Sequence, residues 1–398
     1  MYNYIKMSMV LPNVLNYNES MPTLPDSTKK VSIVITPSNS QASFTQGQLI
    51  QFDLPQQGFL VPDSLSIRYK MSVTSTPNTN GVGYFLCGTP VYAPFQREEI
   101  IINSNVCETI NNYNQVHNMM NNLTKSVSDK FGLAPSYGYS NGESNGVAPT
   151  MEQLDGRISY GTAGQASSEY FFMSAPFPCL LSYSKKLIPL HFMGSTRIQL
   201  TLDSISNIFS VGSDTLTNPA AIPLPTAYSI SNIELCYDQM EFSNDVNEIV
   251  RKNERIYLKS QSFSNVQQTL TPSSGNLNLI FNTRLASIKS AFLNMSSTDA
   301  AKCVNKLFDS VDISKGNGTY QISVGGYNHP QRSLSTSDNK AGIFTALRDA
   351  LDPIFEKSNS LAISRTEWNF TDSSTTSIIT PGKFYVGFNL EKMHSNNL

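Results

Sequence analysis

"SLSIRYKMSV", residues 64–73, alternates without a fault: Ile67, Tyr69, Met71 and Val73 fall on one face, Ser66, Arg68, Lys70 and Ser72 on the other. A period of two sets successive side chains on opposite sides of a pleated strand, so the phrase describes a strand with one dry and one wet face. The same rhythm returns in "TRIQLTLD" (196–203), through Ile198, Leu200 and Leu202, and in "ISNIELCYD" (230–238), through Ile233, Leu235 and Tyr237. Further strands are expected at "VSIVIT" (31–36), "QLIQFDL" (48–54), "EIIIN" (99–103), "NLNLIF" (276–281), "TYQISV" (319–324) and "KFYVGFNL" (383–390). Many short strands separated by Gly, Pro, Asn and Ser predict an all-β chain built as sandwiches or barrels, not a parallel α/β sheet.

Two segments carry helical spacing instead. From Glu108 onward, Ile110, Tyr113, Val116, Met120, Leu123 and Val127 predict a helix over 108–127. Ile343, Leu347, Leu351 and Ile354 predict a second over 342–352, with Pro353 blocking its regular continuation. Each has strands on both sides, which predicts two related β units in tandem. The charged run "NDVNEIVRKNER", beginning at Asn244, marks the boundary: an extended arm over 1–30, a first unit over 31–246 and a second over 247–398. Residues 132–170 are rich in Gly and Ser and read as a long loop within the first unit.

The 398 residues carry 28 Lys and Arg against 30 Asp and Glu, a net charge of −2. That balance argues against a broad electrostatic footprint for nucleic acid or an anionic membrane. Charged residues make up only 15%, against about 25% in an average soluble domain, and Asn, Ser, Thr and Gln supply the polarity. Five scattered cysteines, Cys87, Cys107, Cys179, Cys236 and Cys303, form no C-x-x-C pair, which argues for free thiols in a reducing compartment. The N-terminus lacks the pattern of a signal peptide, and no apolar run approaches the length of a membrane span. The N-x-S/T triplets at Asn18, Asn122, Asn294, Asn317 and Asn369 are therefore expected to be unglycosylated.

One stretch invites a catalytic reading. "NVCETINNYNQVHNMMNNL" (105–123) gathers Cys107, Glu108 and His117, the residue types of a nucleophilic site. Ten positions of helix rise about 15 Å, so Cys107 and His117 cannot meet within one helix, and His117 reads as a histidine satisfied by a neighbouring amide. His191, His329 and His394 are scattered without metal-ligand spacing. Gly325-Gly326 follows a strand but lacks the phosphate-loop pattern, so a tight turn with positive φ is expected there. There is no G-x-S-x-G elbow, no obvious pair of acids, and a single tryptophan, Trp368. No catalytic, cofactor-binding or metal site is expected.

Five phrases in order resemble the major capsid proteins of the double jelly-roll lineage of DNA viruses, the polinton-like viruses and virophages in particular. They are "VYAPFQREEIIINSNVCETINNYNQVHNMMNNL" (91–123), "KKLIPLHFMGSTRIQLTLD" (185–203), "YSISNIELCYDQMEFS" (228–243), "GTYQISVGGYNHPQRSL" (318–334) and "KFYVGFNLEKM" (383–393). The resemblance implies two tandem upright jelly-roll sandwiches with short flanking helices, and long loops forming towers or subunit contacts. It further implies a structural protein, not an enzyme. Three chains would form a pseudo-hexameric capsomer that tiles an icosahedral shell. Partners would be further copies and minor capsid or penton proteins, with genome binding left to others. Assembly would take place inside the host cell and the protein would reside in the virion. Two other classes share the sandwich architecture: a sugar-binding or adhesive protein, and a β-sandwich hydrolase.

Overall fold

The computed structural model describes residues 28–39, 41–74, 83–86, 88–139, 168–212, 225–252, 256–269, 278–280, 287–296, 310–312, 314, 316–355, 361–363, 368 and 383–391. It is mostly β, with few and short helices. Eight long strands make the first unit: β1 (Lys29–Ile35), β2 (Leu49–Leu54), β3 (Ser66–Thr74), β4 (Phe95–Ile102), β5 (Asn105–Asn111), β6 (Ser168–Pro176), β7 (Thr196–Leu202) and β8 (Ala227–Glu241). They pair antiparallel in two sheets of order β1–β8–β3–β6 and β2–β7–β4–β5. First and last strands lie side by side, and the chain wraps between sheets as in a jelly roll. Short strands at Ser43–Thr45, Phe59–Leu60 and Ile188–Pro189 extend the first sheet.

The alternation explains the core. Ile67, Tyr69, Met71 and Val73 of β3 are all buried, facing Ile50 and Phe52 of β2 and Ile198, Leu200 and Leu202 of β7 within one cluster. On the wet faces, Arg68 meets Glu234 across β3 and β8 at 2.5 Å, and Arg197 meets Asp53 across β7 and β2 at 2.6 Å. Strand β8 changes phase midway. Tyr228 and Ile230 point inward, then Asn232 adopts φ 49°, the register with β3 slips, and Ile233, Leu235 and Tyr237 take over. The extra residue is a bulge that returns both runs to the same core.

The second unit contains β9 (Ser290–Asn294), β10 (Thr319–Val324), β11 (Tyr327–Ser335) and β12 (Tyr385–Asn389) among its described residues. Among the described residues four helices have eight residues or more: α1 (Tyr113–Thr124), α2 (Val127–Tyr137), α3 (Asn244–Arg251) and α4 (Lys340–Phe355). The second unit repeats a sequence of the first. In the first, β3 is followed by the β4–β5 hairpin, then α1, and later β8 returns to pair antiparallel with β3. In the second, β9 is followed by the β10–β11 hairpin, then α4, and β12 returns to pair antiparallel with β9. Both hairpins close through two residues of positive φ, Asn103 (48°) and Ser104 (66°) in one, Gly325 (59°) and Gly326 (85°) in the other. Loops of this kind match the twist of the strands they join, and the Gly325-Gly326 turn expected from sequence is one of them.

Helix boundaries differ from the sequence reading. Glu108 and Ile110 belong to strand β5, and the helix begins only at Tyr113, after Asn112 takes a left-handed conformation with φ 48°. The spacing from Ile110 to Tyr113 joined two inward residues of different elements. Val127 opens a second helix, α2, whose capping box pairs the Ser126 hydroxyl with the Asp129 amide and the Asp129 carboxylate with the Ser126 amide. Residues 132–137, read as loop, are the end of α2, closed by Gly138 at φ 76°. Residues 140–167 of the expected loop, residues 1–27 of the expected arm, and Cys87, Cys303, His394, Asn18 and Asn369 lie outside the described residues. Helix α4 runs through Pro353 to Phe355. Proline cannot bond the carbonyl four residues earlier, and that carbonyl, on Asp349, accepts instead from Asn389 Nδ2 at 2.9 Å. Gly387 of β12 permits the close approach: a Cβ there would meet Leu347 Cα and Ala350 Cβ at 2.9 Å. Within the expected strand 276–281, residues Asn278–Ile280 are irregular and exposed.

Candidate functional site: a helix shared by two cores

Helix α1 follows directly from the β4–β5 hairpin and joins the two units. Tyr113 and Val116, near its start, belong to the core of the first. Met119, Met120 and Leu123, near its end, belong to a second core with Ile343, Leu347 and Leu351 of α4, and with Trp368 and Phe384. The ten positions separating Tyr113 from Leu123 carry the backbone about 15 Å along the helix axis. The Leu123 carbonyl accepts from the Ala362 amide at 3.0 Å, and Asn122 Nδ2 donates to the Tyr385 hydroxyl at 3.2 Å, so the far end is also hydrogen-bonded to the second unit.

The amides of α1 work inside the chain. Asn114 Nδ2 donates to the Ala93 carbonyl at 3.1 Å and to Asp203 Oδ2 at 2.9 Å. Asp203 Oδ1 in turn accepts from the Ser204 amide and from Asn207 Nδ2. Asn121 Nδ2 donates to Thr89 Oγ1 at 3.2 Å, whose hydroxyl donates to Asn118 Oδ1 at 3.3 Å. Lys130 of α2 donates to Asn122 Oδ1 at 2.8 Å. Buried polar groups this well partnered fix one register for the helix, and a change to an apolar residue would leave partners stranded. Asn122, part of an N-x-T triplet, is buried in this network and closed to glycosylation.

Cys107 and His117 are placed apart. Cys107 is the extra residue of a bulge in β5 and is exposed. His117 is buried on α1, its ring 4.2 Å from Tyr113, 5.6 Å from Tyr92 and 5.9 Å from Phe263 between centroids. Its Nε2 has no hydrogen-bond partner, so the amide expected to satisfy that atom is not there. Burial lowers the imidazole pKa from 6.5 to about 3, which keeps it neutral.

Two buried acids escaped the sequence reading as a pair. Glu98 of β4 and Glu108 of β5 point inward, Glu98 with neither oxygen partnered and Glu108 accepting from the Leu180 amide at 2.5 Å. Burial, then the Glu108 charge, raises the Glu98 carboxyl far above its ordinary value. Burial also raises Glu108, against the hydrogen bond from the Leu180 amide that favours its ionised form. The Cys179 thiol beside them is raised by burial and by both acids. The signal was present: in "EEIII" and "CETI" each acid keeps step with an inward isoleucine, Ile100 or Ile110. A nucleophile or general base needs an ionised form and access to a substrate. A Glu98 carboxyl raised far above its ordinary value, a raised Cys179 thiol and a neutral His117 imidazole lie in a packed interior with no open approach. Among the described residues no group of three or more His, Cys, Asp or Glu could hold a metal ion.

No protein-family model matches the chain, and no curated protein matches it. Solved structures similar to it include three of viral capsids. The Sputnik virophage structure has 13% identity and a TM-score of 0.48, covering 96% of this chain and 81% of that one. The Faustovirus major capsid protein has 13% identity and a TM-score of 0.38, covering 59% of this chain and 58% of that one. The mavirus major capsid protein has 13% identity and a TM-score of 0.35, covering 59% and 52%. The chain thus spans little more than half the length of the last two.

Proposed function

We propose that the chain is a major capsid protein built as two tandem jelly rolls, dividing at about residue 246, and that its role is architectural and not catalytic. The observation that carries this reading is the repeated order of strand, hairpin, helix and returning strand in both units, with α1 anchored in both cores. A chain with two similar units is a subunit with approximate internal two-fold repetition. Three copies around a three-fold axis then offer six similar flanks, the outline needed to tile a hexagonal lattice. Jelly rolls serve widely as shell subunits. The closed cluster around Glu98, Glu108 and Cys179 fits an interior element better than an active centre. The low overall charge fits a shell whose genome contacts lie with other proteins, and whose partners are neighbouring capsomers and minor capsid or penton proteins in the virion.

The test is assembly of the purified protein. Size-exclusion chromatography with light scattering is expected to give a trimer, and negative-stain microscopy hexagonal arrays or shells. A monomer under every assembly condition, or saturable glycan binding by that monomer, would overturn the proposal.

A further inference from the structure

Helix α3 lies at the end of β8 with no buried residue, although its apolar positions share a side. Val246 and Val250 line a groove of about 510 Å³ whose other walls include Phe59, Pro189, Phe242 and Tyr257. Tyr257 is 76% exposed, and Ile249, on the same side of α3 as Val246 and Val250, is 64% exposed. The volume suits two or three apolar side chains.

The path of the chain points to the occupant. Strand β1 opens at Lys29, paired in register with Glu241, the residue before Phe242 of the groove wall. Paired strands lie about 5 Å apart, so the described chain begins, at Thr28 and Lys29, beside the mouth of the groove. The sequence ahead of it divides in two. "MYNYIKMSMVLPNVL" (1–15) carries Met, Tyr, Ile, Val and Leu at ten of fifteen positions and one charge, Lys6, whereas 16–28 is mainly polar. A polar spacer of that length reaches up to roughly 40 Å, ample to turn back into a groove beside its own exit.

We infer that the apolar segment Met1–Leu15 docks in the groove between α3 and Phe59 of its own chain, covering Val246, Val250 and Tyr257. The short tether makes the docking intramolecular, with an effective concentration no free partner matches.

The experiment uses the full-length protein, with Tyr257→Cys as a labelling site and limited trypsin cleavage after Lys6 as a second readout. Maleimide labelling of the Tyr257→Cys protein is expected to be slow, and deletion of residues 1–15 to speed it at least tenfold. Val250→Asp, in the groove, is expected to raise cleavage at Lys6 by a similar factor. Glu248→Gly, on the opposite side of the helix, is expected to change neither, which separates loss of docking from loss of the helix. Equal labelling with and without residues 1–15 would overturn the inference. So would protection that disappears on dilution, which would place the arm of a second copy in the groove. Binding of the arm to neutral phosphatidylcholine vesicles with the groove still open to label would also overturn it.

Discussion

Acidification is expected to weaken the native chain through His117, by an amount that follows from its surroundings. The imidazole has its ordinary pKa of 6.5 when unfolded and about 3 when enclosed by Tyr113, Tyr92 and Phe263. Above pH 6.5 it is neutral in both states, and its packing contributes in full. Below that value the unfolded chain takes up a proton that the folded chain refuses. Stability therefore falls steadily until the folded form itself protonates near pH 3. At 1.36 kcal/mol per unit, the loss between pH 7 and pH 5 is about 2 kcal/mol. The perturbation is His117→Phe, which fits a cage of aromatic rings and removes an Nε2 that has no partner. Urea unfolding of both proteins at pH 7, 6 and 5, followed by far-UV circular dichroism, isolates the term as a difference. The acids Glu98 and Glu108 act with the opposite sign. Their raised folded-state pKa values make the fold more stable as pH falls toward their unfolded values, but they cancel in the comparison. A wild-type protein and His117→Phe losing stability in parallel from pH 7 to pH 5 would refute the reasoning.

Replacing Glu98 by Leu removes a buried acid with two unpartnered oxygens and is expected to raise stability at neutral pH by roughly 1–3 kcal/mol, measured as a higher melting temperature. Tyr113→Ala empties a fully buried site and removes a hydrogen bond to the Pro178 carbonyl, for a loss of about 3–5 kcal/mol in chemical unfolding. Cys107→Ser, at an exposed bulge, is expected to leave unfolding and the elution volume in size-exclusion chromatography unchanged. Asn389→Ala strands the Asp349 carbonyl that Pro353 leaves open, at a cost of about 1–2 kcal/mol in thermal melts.

The strands of the first unit were legible because each keeps one face dry, and a single period carries the information. Ile67 to Val73 and Ile198 to Leu202 needed no context. Helix α1 was legible as a helix but misplaced at its start, because Ile110 and Tyr113 are both inward residues on either side of a left-handed turn at Asn112. The capping box at Ser126 and Asp129 was written in the sequence and overlooked. The bridging role of α1 was not legible at all. Met119 and Leu123 belong to a different interior from Tyr113, and nothing local distinguishes one apolar surrounding from another. The bonding of the α1 amides within the chain was not legible either, since their partners Thr89, Asp203 and Tyr385 are distant in sequence.

The pairing of β1 with β8 has a consequence in time. Ser32 meets Asp238, 206 positions downstream, so the first roll cannot close until its last strand has left the ribosome. At about 5–20 residues per second, β1 waits roughly 10–40 seconds with its pairing edge open. An apolar ribbon such as "VSIVI" is a hazard during such a wait, and Lys29 and Lys30 at its head repel neighbouring nascent copies until β8 arrives. Two lysines ahead of five apolar-rich positions guard that delay.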